Sequence, residues 1–178
     1  MPLTGEQLAK IAPACPTPVT TARLLWAAML PAGIVLVTRA AAFVAQLAHE
    51  SGEFRYSLEA ASGLPYEGRK DLGNIQPGDG EKFKGRGIIQ LTGRDNYEKY
   101  GRMIGVDLIA SPSAAALPEN AAKIAVAYWN DHHLNELADQ GDFKGVTKAI
   151  NGGYNGLEAR TRYYHRALEI LGAGASLA

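Results

Sequence analysis

Apolar residues recur at helical spacing through most of the chain, and the pattern breaks for one long stretch, from Ser51 to Gly87. Thr4-Gly5-Glu6-Gln7 forms a capping-box signature that opens a short helix ended by Pro13. A second helix is expected from Thr20 or Thr21 to Leu30, stopped by Pro31. Thr38 should cap a third, in which Ala40, Phe43, Val44, Leu47 and Ala48 line one apolar face. Glu50, three residues after Leu47, extends that face at its C-terminal end. Further helices are expected at about Arg94–Ile104, Ser113–Leu117, Glu119–Leu137, Phe143–Asn151 and Leu157–Leu171. Ser111-Pro112 and Gly152-Gly153 serve as start and stop signals. There is no internal repeat and no low-complexity linker.

The stretch from Ser51 to Gly87 is rich in Gly, Pro, Asp and Asn, most densely from Leu72 to Gly80. It reads as a long structured loop with at most a short hairpin. Loops of this length without regular structure are usually functional or disordered. Lys84-Gly85-Arg86-Gly87-Ile88-Ile89-Gln90-Leu91-Thr92 then forms a glycine-led apolar run that ends in polar groups. The pattern predicts a mainly α fold (α+β) with a small central β or loop element.

Composition narrows the function classes. A chain of 178 residues suits one domain, residues 1–178, built as two lobes. Eighteen basic residues balance 18 acidic ones, so no global field draws the protein to nucleic acid or to a membrane. The charge is uneven: Ser111–Asp142 carries five acids and one Lys, whereas five bases face two acids from Lys144 onward. Such polarity is most simply solvated surface, and alternatively one wall of a binding groove. Cys15 is alone, so no intrachain disulfide is possible, and with no His nearby the thiol is expected to be inert. Leu24–Thr38 is uncharged over 15 residues, short for a membrane span of roughly 20, and reads as core. Met1–Lys10 lacks the basic-then-apolar order of a secretory signal, so synthesis and folding in a cytosol are expected.

Two acids carry the candidate chemistry. Cleavage of a sugar–sugar bond uses one carboxylic acid to protonate the leaving oxygen and a second carboxylate to activate water. Glu50, on an apolar face, suits the acid, and Glu59, in a polar loop, suits the base. On one continuous helix the two would point to opposite sides, about 13 Å apart by the rise per residue. They can cooperate only if the helix stops near Ser51-Gly52 and the chain returns. Any two glutamates are most often surface carboxylates, and spacing alone does not overturn that. A zinc reading of His49-Glu50 fails because the second histidine position is Glu53. His132, His133 and His165 lack ligand spacing, and Gly85-Arg86-Gly87 is not followed by the Lys-Ser/Thr of a phosphate loop.

Three ordered blocks then carry a specific resemblance. Phe43–Phe54 with Glu59, Phe83–Tyr97 with its Gly-Arg-Gly and Gln-Leu-Thr, and Thr147–Gly153 with Ile-Asn-Gly-Gly resemble glycoside hydrolase family 19. These are lysozyme-like chitinases that also include many phage and prophage endolysins. The short N-terminal helices, the Tyr66–Asn74 loop, and the absence of a signal peptide and of disulfides resemble the endolysin branch. The resemblance implies a lysozyme-like fold of two lobes with a cleft between them, the smaller lobe at about residues 94–140. It implies Glu50 as general acid, Glu59 as general base, and Thr92 helping to hold the attacking water. Gln90, Asn96 and Asn151 match groups that hydrogen-bond the sugars, Arg160 matches a base that pairs with the carboxylates, and His49 matches a family position without a defined role. Glu53 and Glu67 compete with Glu59 for the second acid. The implied reaction is inverting hydrolysis of β-1,4 bonds between N-acetylated sugars, in peptidoglycan, with no metal or cofactor. A monomer is expected, made in a bacterial cytoplasm and reaching the wall with help from a holin. The alternatives are a chitinase, a lytic transglycosylase, and a glycan-binding module without catalysis.

Overall fold

The capping box forms as its sequence requires: the Gln7 amide donates to the Thr4 hydroxyl at 3.2 Å, and the Thr4 amide donates to the Gln7 side chain at 3.0 Å. It opens α1 (Gly5–Ile11). The computed structural model describes residues 2–173. α2 (Pro18–Met29) starts earlier than the sequence suggested, because Pro18 occupies the first helical turn, where its missing N–H costs nothing. α3 (Val37–Glu50) has Leu36 at its N-cap with no side-chain bond, so Thr38 lies inside the helix and does not cap it. Residues 40–48 of α3 are all buried. The helix is enclosed on every side rather than on one face, as suits a central helix. The Ser51 and Gly52 amides close its C-terminal end on the Leu47 and His49 carbonyls.

The chain divides into two compact units: one takes in the residues up to Arg55 and again from Tyr128, the other is Tyr56–Ala127. The bounds of the second differ from those expected for the inserted lobe, 94–140. In the first unit α3 packs chiefly on α9 (Leu157–Ala173), while α1 packs on α2. α6 (Pro118–Asp131), which begins in the second unit, brings Trp129 edge-on to Phe43, ring centroids 5.2 Å apart. The single helix expected over Glu119–Leu137 is instead broken, with α7 (Leu134–Asp139) following a left-handed His133 at φ 53°. The break seats Asn135, whose side chain accepts from the Trp129 indole at 2.9 Å and donates to the Ala32 carbonyl at 3.2 Å. The buried indole N–H thereby gains an acceptor. α8 (Phe143–Asn151) has the expected bounds, and Asp142 caps it by accepting from the Gly145 amide.

In the second unit the loop acquires short turns, Leu64–Tyr66 and Lys70–Leu72, and a one-turn helix α4 (Asp79–Lys82). The β element among the described residues amounts to two bridges, Leu58 with Arg86 and Arg86 with Leu91. α5 (Arg94–Ile104) has the expected bounds. Its Arg94 guanidinium grips buried Asp79 through two bonds, at 2.5 and 2.9 Å, holding the Asp79 carboxyl below its ordinary range. Phe83 packs on Tyr97, and burial pushes the Tyr97 hydroxyl up to about 12.

Candidate functional site

In the first unit, Glu50 is the last residue of α3, and its carboxylate accepts from the Arg160 guanidinium at 2.6 Å. Arg160, from α9, is only 2% exposed. Its second terminal nitrogen donates to the Gln46 side-chain carbonyl at 2.5 Å, and Gln46 donates in turn to Thr147 at 2.8 Å. Thr147 completes the chain by donating to the Phe143 carbonyl at 3.0 Å. A buried cation is costly unless paired and fully hydrogen-bonded, and this network supplies both. Gln46 was missed as a site residue, although a detectable signal existed: it is a polar group inside the apolar run of α3, one helical turn before Glu50.

His49 sits beside this fork. Burial lowers its pKa from the ordinary histidine value, and the positive charge of Arg160 adds to the shift. Gly156, at φ 70°, packs so closely that a Cβ there would stand 2.5 Å from the His49 ring. Asn151 ends α8, and its side-chain N–H group is buried with no acceptor among the described residues. The Tyr128 hydroxyl lies 3.4 Å from the Ala149 carbonyl; burial raises its pKa, and the Glu50 and Asp131 charges raise it further.

Directly after Glu50 the helix stops in an unusual way. Gly52, Glu53 and Phe54 are all left-handed, at φ 56°, 63° and 64°. Two non-glycine residues in that region cost about 1–2 kcal/mol each. Glu53 offsets part of this as a clasp, accepting from the Ala14 amide at 2.6 Å and the Tyr163 hydroxyl at 2.8 Å. Both oxygens of this competitor for the second acid are therefore engaged in holding the turn.

In the second unit, Glu59 accepts from the Tyr66 hydroxyl and from the Gly85 amide, each at 3.0 Å. Its own amide donates back to the Gly85 carbonyl at 3.0 Å. A Cβ on Gly85 would stand 2.9 Å from the Gln90 side-chain oxygen and 3.0 Å from a Glu59 oxygen, so glycine is needed for this approach. Gln90, left-handed at φ 53°, donates to the Gly87 carbonyl at 2.9 Å, and the Thr92 hydroxyl donates to the Gln90 carbonyl at 2.8 Å. Asn96 donates to the Thr92 carbonyl at 2.8 Å. The donors of these three side chains hold the loop, and their oxygens remain to accept. The other competitor, Glu67, accepts from the Gly78 and Gly80 amides at 2.8 and 2.7 Å. Arg86 is held by the Lys82 and Lys84 carbonyls and the Tyr97 hydroxyl, which makes it a loop brace.

Of the residues singled out, His49, Glu50, Asn151 and Arg160 belong to the first unit, and Glu59, Gln90, Thr92 and Asn96 to the second. Among the described residues no three His, Cys, Asp or Glu side chains converge as metal ligands.

Residues 36–140 match the family model described as chitinase class I, glycoside hydrolase family 19. A glycosyl hydrolase family 19 domain-containing protein of Haemophilus influenzae is 33% identical over 78% of this chain and 82% of its own length. An endochitinase of Arabidopsis thaliana is 36% identical over 82% of this chain, which spans about half (53%) of the plant protein. Among solved structures, chitinase C from Streptomyces griseus superposes with a TM-score of 0.81 at 24% identity, covering 96% of this chain and 76% of that one. The class IV chitinase from Zea mays superposes with a TM-score of 0.70 at 26% identity, covering 91% and 84%. The mostly helical fold is the lysozyme-like fold of these chitinases. The chain belongs to glycoside hydrolase family 19 and is a glycoside hydrolase.

Proposed function

We propose that the protein is a peptidoglycan-degrading glycosidase of the endolysin type, hydrolysing β-1,4 bonds between N-acetylated sugars with inversion. Glu50 gives its proton to the glycosidic oxygen as the bond to the anomeric carbon breaks. Glu59 takes a proton from water, which attacks that carbon from the opposite face, with Thr92 holding the same water. Water adds across the bond, so both products leave as intact sugars. The observation that carries the sugar-binding part is the Asn151 amide, a buried donor with no acceptor among the described residues. Such a group is expensive to leave unsatisfied, and a hydroxyl or acetamido oxygen of the substrate would satisfy it. Arg160 keeps Glu50 in place, and Tyr66 with the Gly85 amide does the same for Glu59. Support for the wall as substrate comes from the short N-terminal helices and the Tyr66–Asn74 loop, which resemble the endolysin branch. Among the described residues no helix is long and apolar enough to cross a membrane; passage to the wall through a holin-type pore belongs to the same proposal.

Chitin is the second reading, favoured by the names of the plant and Streptomyces relatives. Purified peptidoglycan and chitin oligomers offered side by side separate the two. Turnover of peptidoglycan with water-added reducing ends is expected, and anhydro-muramic ends would identify a transglycosylase instead. Glu50→Gln should lower turnover by at least about a thousandfold while the variant still folds and binds glycan. Unchanged turnover in that variant overturns the assignment of the acid.

A further inference from the structure

Next to Asn151 lies a charged surface that the proposed chemistry leaves unused. Lys144 and Lys148 are one turn apart on α8 and both exposed, and Lys148 stands less than a turn before Asn151. Neither has a carboxylate partner within ion-pair distance among the described residues, whereas Lys10 and Lys123 pair with Glu6 and Glu119 and exposed Lys70 and Lys82 resemble the α8 pair in lacking one. After α8 the left-handed Gly152 reverses the chain. This carries Tyr154 back along the helix, so that the Lys144 ammonium lies 4.8 Å from the centre of its ring. The ring is 47% exposed and the lysine is steadied against it. Two cations without carboxylate partners among the described residues and a half-exposed aromatic plate therefore lie within two helical turns of Asn151, whose buried amide has no acceptor among the described residues.

We infer that Lys144, Lys148 and Tyr154 form a subsite for the carboxylate-bearing peptide attached to the lactyl sugar of peptidoglycan. This rests on the wall being the substrate and deepens that reading. A sugar polymer such as chitin offers no negative charge, so lysines without carboxylate partners gain nothing from it. A lactyl-linked peptide carries free carboxylates beyond its first residue, and an extended peptide lying along this face would bring them to the ammonium groups. The aromatic plate supplies an apolar floor for the sugar face or the peptide's methyl groups. Binding at this edge would hold the peptide-bearing sugar beside the Asn151 amide, and so bias which sugar lies next to Glu50.

The test uses three substrates on the full chain: intact peptidoglycan, stripped strands from which an amidase has removed the peptides and whose newly freed lactyl carboxylates have been capped as methylamides, and chitin oligomers. Lys144→Gln/Lys148→Gln should lower kcat/KM on intact peptidoglycan by about fivefold while changing turnover of stripped strands by less than twofold. The preference of the wild type for intact over stripped strands should shrink as salt is raised. Tyr154→Ala should lower both strand activities. An unchanged intact-to-stripped ratio in the double lysine variant, with the wild type cleaving both, overturns this inference alone. A wild type that cleaves chitin and neither wall substrate overturns the proposed function as well. Circular dichroism of each variant separates these outcomes from misfolding.

Discussion

The two carboxylates at the centre of the proposed chemistry are held in opposite ways. Glu50 ends a buried helix and is gripped by a cation that is itself buried, paired and tied to Gln46 and Thr147. Glu59 stands in an irregular loop and is held by neutral donors, a tyrosine hydroxyl and a backbone amide. The first arrangement resists change but fails badly if one member is lost. The second tolerates loss of a single donor, because each neutral bond contributes little beyond what water would give.

That contrast can be broken most severely at Arg160. Arg160→Ala leaves the Glu50 carboxylate and the Gln46 amide without their shared partner. It should cost about 3–5 kcal/mol in urea unfolding and remove turnover, whereas Arg160→Lys, which keeps the charge but loses the fork, should fall between. A loss no larger than that of an exposed ion pair would show that the network is not the support described above. Asp79 tests the comparison inside the second unit, where the buried ion pair lies away from the site. Asp79→Asn should cost about 3 kcal/mol at neutral pH with KM unchanged. Its folded pKa is depressed, so the wild-type advantage exists above the unfolded carboxylate value. It disappears as pH falls through the folded value, and the two unfolding midpoints should converge in acid.

Tyr66→Phe is the milder probe. It removes one of two donors to Glu59 and should cost about 1 kcal/mol in stability, with turnover reduced about tenfold or less. A loss as large as that of Arg160→Ala would make the two sites equivalent. The smallest effect concerns His49, whose folded pKa lies below its unfolded value. The unfolded chain therefore takes up the proton first. Stability should fall as pH drops from the ordinary histidine value to the lowered one, then level off. Proton NMR should find His49 titrating below the usual range, and higher in Arg160→Lys if the guanidinium's closer charge contributes.

Local signals were legible in the sequence and long-range ones were not. The bounds of α5 and α8 follow from periodicity and, at the end of α8, from the Gly152-Gly153 stop signal. The stop after Glu50 follows from helical arithmetic once Glu59 is required to cooperate with it. Thr38 misled because a capping residue is recognised by type, whereas the helix began one residue after Leu36 with no side-chain cap. The break at His132-His133 was invisible because its cause, the Asn135 bridge between Trp129 and Ala32, joins positions far apart in the chain. The same holds for Asp79 with Arg94. Glu53, Glu59 and Glu67 look alike in sequence. Their bonding does not rank them either: Glu53 and Glu59 each accept from one tyrosine hydroxyl and one backbone amide, and Glu67 accepts from two glycine amides.

The hydroxyl of Thr92 has its hydrogen directed at the Gln90 carbonyl, which makes it a one-way group. Toward a water molecule it can only accept. In the proposed reaction that water would aim one hydrogen at Thr92 and the other at Glu59, leaving its oxygen lone pair as the part that faces the sugar. The loop would then do more than retain a water: it would set which end of the molecule points forward, before any bond begins to break.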